Sequence, residues 1–422
     1  MSKTFCPLPF NHLYIHPAGV IKPCCRFAET NTPSDSDTNV ANEEVLDNLL
    51  YNESHVSIRE KMLSGEKVSG CRACYIEEEK STKSMRTQEM ELWGNYDYWK
   101  DKSPTVEYVE ITFGNYCNLA CRTCSSGLSS SWEKEDRILT KFYPDRQHME
   151  RMNVDRIWKA NDFKNIKRLK VTGGEPMLHP DFPKFLDTII DSGYADNIYL
   201  MIFTNTSYIP KQKLLDRLLR FKSVGVWLSI DGTESVQNYI RHLSDWEVVD
   251  AAARKWCSVQ RETNNQMIIN LGPTYSIYNI MNIPKLFKWW IDLRNEILGE
   301  FETQDTTITN NVLSWPDYLN IKHTPNKVKA IHELTKFKLK LDTTKHLPNV
   351  MIPIIDNIIT NIEKPSNDKA KSQFIRFTKD LDLLRGQDFR SDINTLSNQF
   401  DDLWDKIDSN EALHEFKNIN RT

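Results

Sequence analysis

The 422-residue chain contains no apolar run near the roughly 20 residues that a membrane-spanning helix requires. Its first residues, MSKTFCPLPF, lack the long apolar stretch of a secretory signal. A charge of one sign is missing too. Fifty-four Lys and Arg against 58 Asp and Glu leave a net charge of −4, which gives no general attraction to nucleic acid or to an anionic membrane. Internal repeats and low-complexity tracts are also lacking. These absences predict a cytoplasmic protein, and 39% apolar residues supply either one large core or two or three smaller ones.

What the chain does have is clustered cysteine. Nine cysteines stand at positions 6, 24, 25, 71, 74, 117, 121, 124 and 257, eight of them within the first 124 residues. In a large chain read as intracellular, such crowding points to metal or redox chemistry rather than to a disulfide framework.

Residues 1–80 are cysteine-rich and carry short β-like pieces, HLYIHP and GVIKPCC. From about 105 to 310, short β-rich runs alternate with longer amphipathic segments. Candidate strands are 106–113, 166–172, 197–204, 224–230, 267–273 and 305–309. Between them, PDFPKFLDTIIDSG opens on prolines and closes on Gly193, as a helix does, and DWEVVDAAARKWCSVQRE has helical apolar spacing. Strands alternating with helices predict a parallel sheet with functional loops at the strands' C-terminal ends, and six βα units suit a partial (β/α)6 TIM-like barrel. After about 315 helical spacing dominates, as in Phe374, Phe377, Leu381 and Leu384, then Ile393, Leu396, Phe400 and Leu403. The expected organisation is therefore an α/β barrel over 105–310, a small N-terminal β-hairpin module over 1–80 and a helical region over 315–422.

Directly after the first barrel strand comes Cys117-x3-Cys121-x2-Cys124. Three thiolates this close can hold one corner of an iron–sulfur cube and leave one iron open, since an ordinary structural cluster takes four protein ligands. A zinc site with a distant fourth ligand, or three unrelated buried cysteines, are the alternatives that spacing alone leaves.

The triad after a first strand resembles the radical S-adenosylmethionine (SAM) superfamily, and further motifs follow in that family's order. Thr172-Gly173-Gly174-Glu175-Pro176 looks like its GGEP motif, which implies a hold on the SAM amino group. Thr204-Asn205-Thr206 resembles a segment near the SAM ribose, with Thr206 in place of the usual glycine. Ser229-Ile230-Asp231-Gly232 followed by Arg241 resembles a pattern in which the serine contacts ribose or carboxylate and the arginine pairs with the carboxylate. Ser276 and Asn279 resemble a later SAM-proximal pair. Thr123 stands where the family usually has an aromatic residue near the adenine. The resemblance covers about half of the chain and implies a [4Fe–4S] cluster at Cys117, Cys121 and Cys124, with SAM on its open iron. One electron would then cleave SAM into methionine and a 5′-deoxyadenosyl radical.

The upstream cysteines resemble the auxiliary-cluster module called twitch, a shortened SPASM domain, which usually follows the barrel but here precedes it. The resemblance implies a second [4Fe–4S] cluster at Cys6, Cys24, Cys71 and Cys74, with Cys25 spare or alternate; a four-cysteine zinc site suits the same ligands. His16 reads as a hairpin residue and Cys257 as a buried thiol. Relatives with such modules often modify peptides or proteins, so the resemblance implies a peptide or protein substrate and a reductant protein as partner. A small-metabolite substrate and a non-catalytic metal-binding scaffold are the other readings. A plain SAM methyltransferase is disfavoured because cysteines occupy the place of a glycine-rich loop. No catalytic acid or base is identified; Tyr239, His242 and the acids of the tail are titratable residues without an assigned role.

Overall fold

A computed structural model describes residues 4–16, 20–28, 45–79, 83–144, 146, 163–393, 401–411 and 413. Residues 17–19 of the expected hairpin, and Leu396 and Phe400 of the expected last helix, lie outside them. The chain divides into two compact units: Met1–Tyr116, Arg151–Ile202 and Gln212–Val224, and then Cys117–Glu150, Phe203–Lys211 and Gly225–Thr422.

In chain order the strands among the described residues are β1 (His12–Ile15), β2 (Ile21–Lys22), β3 (Tyr108–Thr112), β4 (Ala120–Cys121), β5 (Arg168–Thr172), β6 (Tyr199–Thr204), β7 (Ser223–Leu228), β8 (Arg241–His242), β9 (Met267–Leu271), β10 (Thr274–Tyr275) and β11 (Asn311–Val312). A seven-stranded, mostly parallel sheet takes them in the order β2-β1-β3-β5-β6-β7-β9. The fold is thus α/β, with a mostly parallel open sheet and a helical C-terminal region. Where a sixth barrel strand was expected, at 305–309, the chain makes a single parallel bridge, Leu271 to Ile308. β1 and β2 form the expected antiparallel hairpin. The hairpin also joins the main sheet, because β1 pairs in parallel with β3.

Within the first unit the strand sequences HLYI, YVEIT and RLKVT alternate polar and apolar, and successive side chains leave a strand on opposite faces. One face is Leu13, Ile15, Val109, Ile111, Leu169, Val171, Leu200 and Ile202, all buried. On the other face the register aligns His12, Tyr108, Arg168 and Tyr199 in one row and Tyr14, Glu110, Lys170 and Met201 in the next. Thr112 and Thr172 complete it at the strand ends. Parallel strands buried on both faces ordinarily read as continuous apolar runs, so this polar face departs from the sheet norm. Helix Phe182–Asp191 has a proline in its first turn and buries Phe185, Leu186 and Ile189 on one stripe, and Gly193 follows at φ +79°.

In the second unit, helix Trp246–Glu262 is capped by Asp245, whose side chain accepts the Glu247 N–H at 3.0 Å, and it buries Cys257 as expected. The C-terminal region contributes helices Lys327–Lys338, His346–Glu363 and Asp368–Arg385. Asn367 caps the last of these and Gly386, left-handed at φ +65°, ends it. Phe374, Phe377, Leu381 and Leu384 are buried along it, as their spacing predicts.

Candidate active site

In the second unit Cys117, Cys121 and Cys124 lie on a loop whose backbone is tied down at each cysteine. The carbonyl of Cys117 accepts Ser131 Oγ–H at 2.8 Å, that of Cys121 accepts Trp132 Nε1–H at 2.9 Å, and that of Cys124 accepts Arg146 Nη2–H at 3.0 Å. Arg146 is itself held by Asp136, with Nε to Oδ1 at 2.6 Å, and the second carboxylate oxygen takes the Ser126 N–H at 2.6 Å. Short strand β4 pairs with β8, placing Cys121 opposite Arg241.

Two donors reach the sulfurs: Asn205 Nδ2 stands 3.7 Å from Cys117 Sγ, and Arg241 Nη1 stands 3.8 Å from Cys121 Sγ. Such N–H groups stabilise negative sulfur, the state in which it binds metal. Burial pushes the thiols of Cys121 and Cys124 up, Cys124 to about 12.

Around the loop, the motif residues occupy distinct roles. Arg241 Nε meets buried Asp231 Oδ2 at 2.9 Å, and Asp231 Oδ1 accepts the Thr274 N–H at 2.8 Å. Asn279 donates its two amide hydrogens to the carbonyls of Asp231 and Thr274, both at 2.8 Å, and accepts the Ser276 N–H at 2.8 Å. It therefore ties strand ends together. The Ser276 hydroxyl is buried and has no hydrogen-bond partner among the described residues. The Ser229 N–H reaches the Thr204 carbonyl at 2.8 Å. Thr206 has φ +61°, the left-handed conformation in which glycine is the easy choice, which suits the glycine that the resemblance leads one to expect there.

Sequence reasoning passed over Arg122, which sits inside the cysteine motif. It is fully buried, lies 3.7 Å over the Tyr239 ring, donates Nε to the Tyr239 carbonyl at 3.1 Å and Nη2 to Gln387 at 3.0 Å, and pairs with Asp382. The Tyr239 hydroxyl donates to Asp382 at 2.8 Å. A second pair, Arg385 with Glu135, is bidentate at 2.9 and 2.6 Å. His242 lines a cavity with Lys134 and Arg385, and burial lowers its imidazole to about 4. The only sequence signals were the run Ser129-Ser130-Ser131-Trp132 after the triad and the acids of the tail.

In the first unit Gly173 and Gly174 follow β5. Gly173 has φ +133°, and a Cβ there would lie 2.8 Å from the Gly114 carbonyl oxygen. A Cβ at Gly174 would strike the Tyr116 carbonyl, 2.6 Å from its carbon. The Gly174 N–H donates to Gly114 O at 3.1 Å and the Glu175 N–H to Tyr116 O at 2.7 Å. The glycines thus let the turn lie flat on segment 113–116. Glu175 is fully buried and accepts the Met177 N–H at 3.3 Å; Pro176 begins the short 3-10 turn that follows.

Cys6, Cys24, Cys71 and Cys74 line one small cavity, together with Arg26 and Arg86. All are free thiols, and Cys6 and Cys24 are pushed up by burial and by their cysteine neighbours, Cys24 to about 12. Among the described residues, no three Cys, His, Asp or Glu side chains converge as the ligands of a single ion do; the four thiols ring the cavity instead. Cys25 is not in that lining and stands against Glu110. Glu110 Oε1 pairs with Lys170 Nζ at 2.8 Å. Burial works to raise the Glu110 carboxyl, but the Lys170 ammonium together with His12 and a Cys25 hydrogen bond outweighs it and holds the group below its usual value.

A parallel sheet with a three-cysteine loop beyond its first barrel strand defines a class, and residues 111–282 match that class, the Radical SAM superfamily. Among curated proteins, the chain is 31% identical over 124 residues to a GTP 3′,8-cyclase of Sulfurimonas denitrificans, covering 29% of this chain and 35% of that protein. It is 29% identical over 134 residues to the GTP 3′,8-cyclase of Aliarcobacter butzleri, covering 31% and 37%. The chain thus spans little more than a third of the curated relatives it matches. Among solved structures, native anSMEcpe with bound AdoMet is similar at 17% identity and TM-score 0.34, covering 55% of this chain and 58% of that one. Streptococcus suis SuiB bound to precursor peptide SuiA is similar at 13% identity and TM-score 0.33, covering 66% and 62%.

Proposed function

We propose that this protein is a radical SAM enzyme that modifies a peptide or protein. The observation that carries the reading is the cysteine loop of the second unit: three thiols whose carbonyls are each anchored and two of whose sulfurs receive N–H donors. That donor set fits an iron–sulfur cluster with one open iron, and the buried, unpartnered Ser276 hydroxyl fits a polar ligand. When bound, the [4Fe–4S] cluster and SAM supply reductive cleavage to a 5′-deoxyadenosyl radical.

The residues' own tasks follow. Cys117, Cys121 and Cys124 hold the cluster, and Asn205 and Arg241 stabilise its sulfurs. Thr204, Ser229, Asp231 and Asn279 in the second unit, and Gly173, Gly174, Glu175 and Pro176 in the first, are the proposed SAM contacts or their immediate supports. Cys6, Cys24, Cys71 and Cys74 hold a second cluster, with zinc as the alternative occupant.

The substrate class is argued from charge. On the polar face of the first unit, Lys170 is paired with Glu110 at 2.8 Å and Arg168 with Glu89 at 3.4 Å. A nucleoside triphosphate needs uncompensated cations. A balanced face rich in hydroxyls suits the neutral amides of a peptide. The second reading, a nucleotide substrate, rests on the GTP 3′,8-cyclase relatives.

The test is anaerobic reconstitution with iron and sulfide, then dithionite and SAM, with 5′-deoxyadenosine measured beside a variant with Cys117, Cys121 and Cys124 all changed to alanine. Product from the wild type alone supports the enzyme. No product and no triad-dependent iron leave a metal-binding scaffold. Titrating GTP into the reconstituted protein by calorimetry decides the second reading: micromolar binding would replace peptide with nucleotide.

A further inference from the structure

Glu77 and Glu78 follow Cys74 by three and four residues, one turn along the same face of helix Arg72–Glu79. Each takes an arginine. Arg26, two residues after Cys24, forms a bidentate pair with Glu77 at 2.8 and 2.5 Å. Arg86 pairs with Glu78 through Nε, 2.9 Å from Oε1, and through Nη2. Its Nη1 donates to the carbonyl of Phe5, the residue before Cys6, at 2.6 Å. The two forks thus gather the Cys24 and Cys6 segments onto the helix that carries Cys74. Both arginines line the cavity that the four thiols ring.

Burial separates the two forks. The Arg26 side chain is 37% exposed, and water screens such a pair; that of Arg86 is 6% exposed. The Arg86 guanidinium also lies 5.7 Å from the centre of the Tyr75 ring, whose hydroxyl donates to the Thr4 carbonyl at 3.4 Å. Ser84 Oγ holds Glu78 from the other side, 2.5 Å from Oε1. A charge this deep is costly unless opposite charge meets it. Burial opposes the Arg86 charge, while Glu78 first and the Cys6 thiolate after it favour it.

We propose that Arg86 is the positioning residue of the N-terminal centre, pinning the Cys6 segment in place, and the fixed countercharge that sets the centre's reduction potential. The proposal rests on the reading that Cys6, Cys24, Cys71 and Cys74 hold a [4Fe–4S] cluster. Reduction adds one electron from a low-potential reductant, dithionite in vitro, and makes the cluster with its thiolates one charge more negative. The Arg86 guanidinium favours that reduced state, and the Glu78 carboxylate opposes it. Away from water neither effect is screened as it would be at the surface.

The test uses the full chain with Cys117, Cys121 and Cys124 all changed to alanine, reconstituted with iron and sulfide, so that only the N-terminal centre is read. Its midpoint potential is followed by dithionite titration with electron paramagnetic resonance, and iron and zinc are measured beside it. Arg86→Gln should shift the equilibrium about tenfold toward the oxidised centre, a fall of about 59 mV for one electron. Glu78→Gln, which leaves the guanidinium unopposed, should shift it as far the other way. Arg86→Lys keeps the charge and should keep the potential, and Arg26→Gln at the exposed fork should shift the equilibrium less than about threefold. A clamp with no electrostatic role would lose iron in both glutamine variants and leave the remaining centre at the parent's potential. Shifts of one sign in Arg86→Gln and Glu78→Gln, or no shift in either, overturn the proposal. Should Arg86→Gln hold no cluster, Glu78→Gln decides alone, and an unchanged or lowered potential there overturns it. A parent protein that holds zinc and no iron is a different failure, that of the cluster reading, and takes the proposal with it.

Discussion

A methyl group at Gly174 has nowhere to go. Backbone, not a flexible side chain, stands in its way, so Gly174→Ala must push the turn off segment 113–116. We expect a loss of about 1–3 kcal/mol, the usual cost of overpacking, measured by urea denaturation of the apoprotein. Gly386 is the contrast: nothing lies within 4 Å of its Cβ position, and Gly386→Ala meets only the left-handed backbone cost of about 1 kcal/mol. The GGEP-like segment was legible as a motif, but the tyrosine carbonyl it lies against was not, because a glycine announces a close approach without naming its partner. Arg122 was hidden differently. Its position inside the cysteine spacing looked like filler, and its partners Asp382 and Gln387 stand 260 and 265 residues away.

Elements were more readable than their faces. The strands and the buried stripe of helix Asp368–Arg385 follow from period and composition. The alternation in YVEIT and RLKVT was equally present, and it foretold a polar face once those strands proved central. What sequence could not supply was the lateral register that puts Glu110 beside Lys170. Helix Asp368–Arg385 was expected only as part of a helical region, and its Asp382 and Arg385 turn out to serve the segment around the second unit's cysteine loop. Asp382→Asn strips the counter-charge from a buried guanidinium, for which about 3–5 kcal/mol is the general cost. Thermal denaturation of the single variant should show this loss. Replacing both partners, Arg122→Met with Asp382→Leu, should cost less than the single change, and a larger loss in the double variant would show that the pair is not the unit that matters.

Across the whole molecule, two buried histidines and half-buried His242 make stability depend on pH in one direction. Burial lowers His12 and His242 to about 4 and His55 to about 3, against about 6.5 in an unfolded chain. Between those values the unfolded state binds protons that the folded state refuses, so stability is full above about pH 6.5 and falls as pH drops toward 4. Urea midpoints at pH 8, 6.5, 5.5 and 4.5 should be level for the first two and then decline. His55→Gln should flatten the decline, whatever it does to stability at pH 8. Metal adds a further term. On the proposed reading, in which the four thiols that ring one cavity hold a cluster, its binding is part of folding free energy, so reconstituted protein should melt higher than apoprotein, and C24A should lose that part of the gain.

The anchored carbonyls of Cys117, Cys121 and Cys124 carry a consequence for upkeep. Iron–sulfur clusters are dismantled by oxygen, and a slack loop would have to be gathered afresh each time one is lost. Here Ser131, Trp132 and Arg146 grip the peptide backbone, so the shape of the loop does not depend on its sulfurs. On the proposed reading, a cluster lost to oxygen should therefore be rebuilt from iron and sulfide in the folded chain, without denaturant.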